Sequence, residues 1–141
     1  MKTNFNLFAF LLVCTLLSCK QEATLSEYKF SDKDMAINCG DQDSKLYNEA
    51  LYAFEDDITS FYKNKNNPNG NLALIYLQFL RNYSANRINY EELVTPHTLE
   101  VFNILKTKKD LWNLESTVSK LNYYGSFFNC IATNIQNQNL K

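Results

Sequence analysis

The chain has 141 residues, of which 45% are apolar and 21% are charged, with three glycines and two prolines. This composition excludes a disordered chain and a collagen-like fibre, and the length suits one compact domain. The formal net charge is -1, which excludes the dense positive charge that drives nucleic-acid binding, so we expect no nucleic-acid partner.

An apolar stretch opens the chain. After Lys2, residues 5–17 are almost entirely apolar, and charged residues follow directly after Cys19. A transmembrane helix needs about twenty apolar residues to cross the ~30 Å hydrocarbon core, and this stretch is shorter. The pattern predicts an export signal, with a buried helix over residues 1–18 as the alternative.

Four residues close this stretch: Leu16, Leu17, Ser18 and Cys19. A leucine three positions before a cysteine, with a small residue directly before it, resembles the lipobox of bacterial lipoprotein precursors. The resemblance covers residues 1–19 alone. It implies that the Cys19 thiol receives a diacylglyceryl group, that the chain is cut before Cys19, and that the new amine is acylated as well. An ordinary secretory signal that ends near Cys19 is the alternative.

The anchor sets the predicted organisation of the chain. Residues 1–18 are the cleaved signal peptide, 19–42 are a lipidated tether and docking segment, and 43–141 are the helical domain. The resemblance implies a protein held in the bacterial cell envelope by acyl chains on Cys19, so the membrane is its first expected partner. In the lipoproteins that this sequence resembles, residues just after the cysteine influence sorting. The absence of an aspartate next to Cys19 therefore implies the outer membrane over the inner one. Whether the domain faces the periplasm or the exterior stays open.

The resemblance implies that two cysteines remain in the mature domain, Cys39 and Cys130, because Cys14 would leave with the signal peptide and Cys19 would carry lipid. Exported thiols tend to pair in an oxidising compartment. No C-x-x-C motif or Cys/His cluster indicates zinc or thiol exchange, so we predict a structural disulfide. The alternative is a buried free Cys130 and an exposed Cys39.

Helical periodicity dominates the mature chain. Apolar residues recur at helical spacing over 44–63, 71–84, 96–106 and 110–137, which predicts four main helices. The second has the widest apolar face, so we expect it at the centre of the domain. Gly125 lies inside the predicted fourth helix, where the close approach of a neighbour is the expected reason for a glycine. We find no strand-like alternation.

These four helices predict an all-α domain built as a small antiparallel four-helix bundle. At 1.5 Å per residue, Cys130 lies about 30 Å along the fourth helix, level with Cys39 before the first helix. The bundle therefore brings the two cysteines to the same end.

Groups that could support catalysis or bind a metal are few. Glu55, Asp56 and Asp57 form the densest acidic run, but adjacent helix residues point about 100° apart, so we expect a solvated face. His97 is the only histidine, and a ferritin-like di-metal site needs two, so we predict a surface or interface histidine. Serine hydrolase, P-loop and dinucleotide motifs are missing. We expect no enzyme activity, no metal and no cofactor.

The predicted function depends on the surface of the first helix. Tyr47 and Tyr52 lie beside its apolar stripe, and Glu55 and Asp56 add charge nearby. Tyrosine offers contact area and a hydroxyl at low entropic cost, so these four residues are the predicted partner-binding surface. We expect a non-catalytic binding module for a protein or envelope component. The alternative is an immunity-type inhibitor of an incoming toxin, and an enzyme that uses His97 and Glu55 is the third.

Overall fold

The computed structural model of the protein describes residues 24–40, 43–63, 70–113 and 120–135. In these ranges the chain forms five helices and one pair of short strands. The helices are α1 (Ser44–Tyr62), α2 (Leu72–Ser84), α3 (Tyr90–Leu93), α4 (Pro96–Leu105) and α5 (Ser126–Asn134), and the strands are β1 (Trp112–Asn113) and β2 (Lys120–Leu121). The described part is helix-rich, which confirms the all-α class, whereas the antiparallel four-helix bundle is not confirmed. The predicted signal peptide and Cys19 lie outside the described residues.

Helix α1 is the central element, because α2, α3 and α4 all pack against it. Two clusters of buried apolar side chains lie along it. The first joins Leu25, Leu46, Val101 and Ile104, and the second joins Ile58, Ile75 and Leu93. Leu46 and Ile58 are twelve residues apart, or about 18 Å along the helix axis. The prediction that the second helix lies at the centre is therefore wrong, since α1 holds that place.

Local signals explain where α4 begins. Thr95 precedes it in extended conformation, and the Thr95 Oγ1 accepts a hydrogen bond from the main-chain N–H of Thr98 at 3.3 Å. Pro96 occupies the first helical position, where its missing N–H costs nothing. Asp57 of α1 accepts from the Thr95 N–H at 3.3 Å, which fixes this start against the rest of the fold.

Among the described helices, none is long and apolar enough to cross a membrane.

The predicted fourth helix over 110–137 is wrong over 110–113 and 120–125, where the described chain is not helical. Strand β1 pairs antiparallel with β2, with Trp112 opposite Leu121, although the sequence shows no strand-like alternation there. The Trp112 indole N–H donates to the Leu105 carbonyl at 3.0 Å, which turns the chain back against the end of α4. Among the described residues that follow α4, the next helix begins at Ser126.

Asp110 explains the late start of α5. Its two carboxylate oxygens accept from the main-chain N–H groups of Ser126 and Phe127 at 2.7 and 2.8 Å, so it caps the helix from sixteen residues away. Gly125 lies just before this helix rather than inside one. A Cβ at position 125 would overlap the main-chain carbonyl oxygen of Asp110. The expected close neighbour is present, but it lies at a helix start.

Substitution Gly125→Ala is expected to lower the free energy of unfolding by about 1 to 3 kcal/mol, because the new methyl group meets backbone that cannot rotate away. Urea denaturation followed by circular dichroism measures the change. The control is Ser126→Ala, which removes one hydrogen bond to Asp110 and is expected to cost about 1 kcal/mol or less. Equal stability of Gly125→Ala and the natural chain would contradict the close approach.

The structure joins Cys39 and Cys130 in a disulfide, as predicted, with their Cα atoms 5.7 Å apart. The long fourth helix is not what brings them together. Instead, Phe127 of α5 packs on Tyr47 of α1 with ring centroids 4.3 Å apart, which holds α5 at the end of α1 that follows Cys39.

Candidate partner-binding surface

The pair Glu49 and His97 is the arrangement closest to catalytic chemistry. His97 Nε2 lies 2.6 Å from Glu49 Oε1, and both side chains are more than nine-tenths buried. Glu49 also accepts from the main-chain N–H groups of Lys29 and Phe30 at 2.7 and 3.1 Å. These partners all belong to the chain itself, so the pair holds residues 24–40 against α1.

The prediction of a surface or interface histidine at position 97 is wrong. His97 is 8% exposed, because the first turn of α4 directs its side chain onto α1, where the edge of the ring also meets Phe30. Within the described ranges, no group of three or more His, Cys, Asp or Glu side chains could hold a metal ion.

Three further polar side chains of α1 bind the main chain of residues 24–40. Residues 24–40 form no helix or strand, so their backbone groups need other partners, and each of these hydrogen bonds provides one. Ser44 Oγ accepts from Cys39 N–H at 3.1 Å, Asn48 Oδ1 accepts from Ile37 N–H at 2.9 Å, and the Tyr52 hydroxyl donates to the Asp34 carbonyl at 2.6 Å. The polar side of α1 therefore binds residues 24–40 of the same chain.

The four residues predicted to bind a partner do not form one exposed surface. Tyr47 is 3% exposed and lies under Phe127, so it is not available to a partner in this fold. Tyr52 and Glu55 are half-buried and hydrogen-bonded within the chain. Asp56 alone of the four is exposed.

The acidic run is not solvated throughout, contrary to expectation. Asp57 is 5% exposed and accepts from the Thr95 N–H, so it positions the start of α4. Glu55 accepts from the Tyr76 hydroxyl of α2 at 2.9 Å. Two of the three carboxylates thus join α1 to its neighbours.

Burial, together with the hydrogen bond to Glu55 and its charge, raises the pKa of Tyr76 from 10.0 to about 12. The folded state therefore holds this proton more tightly than the unfolded chain. The resulting stabilisation is complete below pH 10 and is lost as the pH rises towards 12.

Between pH 9 and about pH 11, the free energy of unfolding should fall more for the natural chain than for the Tyr76→Phe variant, because the variant lacks the ionisable hydroxyl. Urea denaturation at the two pH values measures both losses. Tyr83→Phe is the control, because Tyr83 is 60% exposed, and it should behave like the natural chain. Equal losses in all three chains would refute the assignment.

Helix α2 presents two stripes of side chains at the same i, i+3 or i+4, i+7 spacing. The inner stripe faces α1 and consists of Ile75, Tyr76, Phe79 and Asn82. The second stripe, called here the outer face of α2, consists of Leu74, Leu77, Gln78 and Arg81. It lines an open cleft of about 410 Å³.

The outer face of α2 leaves large apolar side chains in water. Leu74 is 61% exposed and Leu77 is 57% exposed, with Leu80 beside them at 53%. Burying one leucine is worth about 1.5 to 3 kcal/mol, so this face forgoes stabilisation that a core position would provide. Arg81 is exposed, and among the described residues it has no carboxylate partner. Single exposed leucines are common, whereas a contiguous patch with a polar rim marks an interaction site.

This surface is the candidate functional site of the chain. No family model, curated protein or solved structure matches the chain. A proposal of function therefore rests on the geometry of the described residues.

Proposed function

We propose that the protein is a lipid-anchored lipoprotein of the bacterial cell envelope that binds a protein partner, without catalysis, through the outer face of α2. The observation that carries the binding role is the exposure of Leu74 and Leu77, at 61% and 57%, on the side of α2 turned away from α1. The anchor role rests on the lipobox-like residues that end at Cys19. The outer membrane is the proposed location.

The chemistry of the outer face indicates what kind of partner it fits. Leu74 and Leu77 offer apolar contact, while the Gln78 amide and the Arg81 guanidinium lie one turn away on the same stripe. Such a surface suits an apolar side chain of a protein with a carboxylate beside it, since arginine pairs with carboxylates in two parallel hydrogen bonds. The non-catalytic reading is supported by the structural use of Glu49 and His97, the pair closest to catalytic chemistry.

The test uses the full chain in its native envelope, with a photoreactive amino acid at position 77. Position 35 serves as the control, because Met35 is 55% exposed and lies outside α2. We expect position 77 alone to form one defined protein adduct, which mass spectrometry identifies. The purified partner should then bind Leu77→Asp roughly tenfold more weakly than the natural chain or Met35→Asp, since the carboxylate would be buried without a counter-charge.

Two results would overturn the proposal. Unchanged affinity of the identified partner for Leu77→Asp would show that the outer face of α2 is not the binding surface. A mature protein that retains Met1, found by mass spectrometry of the N-terminal peptide, would exclude lipidation at Cys19. A toxin as the identified partner would specify the immunity-type alternative within the same binding class.

A further inference from the structure

The described chain begins beside α4. Leu25 is 8% exposed and packs with Val101 and Ile104 of that helix. The next residue, Ser26, donates its main-chain N–H to Glu100 Oε1 at 3.1 Å. Hydrogen bonds from the side chain and main chain of Ser26 lower the pKa of Glu100. The first buried residue of the described chain therefore lies against α4.

The distance from this point to the proposed anchor is short. Five residues separate Cys19 from Leu25. A fully extended chain advances at most about 3.6 Å per residue, so six steps span no more than about 22 Å. An acylated Cys19 would hold α4 within that distance of the bilayer surface.

Helix α4 carries apolar side chains on the side opposite its buried residues. His97, Val101 and Ile104 are buried, whereas Leu99 is 52% exposed and Phe102 is 43% exposed. Leu99 and Phe102 are three residues apart and therefore share one side of the helix.

Lysines lie at the end of this apolar side. Lys106 Nζ lies 4.7 Å from the centroid of the Phe102 ring, and Lys109 is exposed just beyond the helix. Lys108 is paired with Asp43 at 2.8 Å and adds little free charge. Exposed leucine and phenylalanine followed by lysine are typical of helices that lie in a membrane interface, where the amines meet anionic headgroups.

We propose that the outer side of α4, formed by Leu99, Phe102 and Lys106, lies on the phospholipid surface that holds the anchor. This inference rests on lipidation at Cys19, which is part of the proposed function. A lipid chain and an interfacial helix then hold the domain at two points, which restricts its orientation. The outer face of α2 is attached to the other end of α1, about 18 Å along the axis, where it stays open to a partner.

The experiment reconstitutes the full lipidated chain in vesicles of phosphatidylethanolamine and phosphatidylglycerol, with benzoylphenylalanine at position 102. The matched control has the same group at position 77, which is also exposed and apolar but lies on α2. After illumination, mass spectrometry should find about fivefold more lipid adduct at position 102 than at position 77. Should the position 102 variant fail to fold by circular dichroism, position 99 replaces it.

Each other outcome decides against the proposal. Equal lipid adduct at the two positions, with acylated Cys19, overturns the membrane contact and leaves the anchor intact. A crosslink from position 102 to a second copy of the chain, in place of lipid, overturns it in favour of self-association. An unacylated Cys19 in the same preparation overturns the anchor and the membrane contact together.

Discussion

Replacement of both Cys39 and Cys130 by serine is expected to lower the free energy of unfolding by about 4 kcal/mol. The bridge joins residues 91 positions apart, and in the chain-entropy model a loop of this length contributes about 4 to 5 kcal/mol. Helix α5 depends on the bridge, because none of its residues is fully buried, although Phe127 packs on Tyr47 of α1. Urea denaturation of the natural chain and the double variant, without reductant, measures the difference.

A reductant provides the matched control for this comparison. It should lower the stability of the natural chain to that of the double variant and leave the double variant unchanged. Amide exchange in α5 should accelerate in both reduced and substituted chains. A double variant within about 1 kcal/mol of the natural chain would show that the unfolded ensemble gains little freedom when the bridge is absent. Two free thiols in protein taken from the envelope would show that the pair is not oxidised there.

Sequence periodicity predicts the first three main helices to within one residue at each end. The predicted ranges 44–63, 71–84 and 96–106 correspond to α1, α2 and α4. The starts of α2 and α4 were predictable because they depend on nearby residues. Asn71 accepts from the N–H two residues on, and Thr95 accepts from the N–H three residues on.

The fourth helix was not predictable in the same way, because its start depends on a distant residue. The apolar spacing continues through 110–125, but the Asp110 carboxylate caps Ser126 from sixteen positions away. A local pattern contains no information on such a contact. Gly125 was the available signal, since glycine is tolerated at a helix start and is unfavourable inside a helix.

The candidate surface was missed for a related reason. A wide apolar face on α2 fits a central helix, but it fits equally a helix that packs on one neighbour and exposes its other side. Periodicity does not distinguish a face buried in the core from one left open. The sequence did contain a signal that Glu49 is buried. Glu49 lies on the same side of α1 as the apolar residues Leu46 and Ala53, and all three are buried in the structure.

Replacement of Glu49 by alanine is expected to lower the free energy of unfolding by about 3 to 5 kcal/mol, as is usual when one member of a buried hydrogen-bonded pair is removed. Glu49 is 2% exposed, accepts hydrogen bonds from two main-chain N–H groups and shares a third with His97 Nε2. Its removal leaves the part-buried N–H groups of Lys29 and Phe30 without an acceptor and the buried His97 Nε2 without its partner, and each lost partner costs about 1 to 3 kcal/mol before relaxation.

Glu55→Ala on the same helix is the matched control, because it removes a half-buried carboxylate with one hydrogen bond from Tyr76 and should cost about 1 kcal/mol. Hydrogen exchange distinguishes the two variants locally. The amides of Lys29 and Phe30 should exchange faster in Glu49→Ala and remain protected in Glu55→Ala, since Glu49 alone accepts from them. If the two variants are equally stable and these amides stay protected in both, Glu49 does not hold the N-terminal segment. The contacts of Leu25 with α4 and the hydrogen bonds to Ser44, Asn48 and Tyr52 of α1 would then be sufficient to fix that segment.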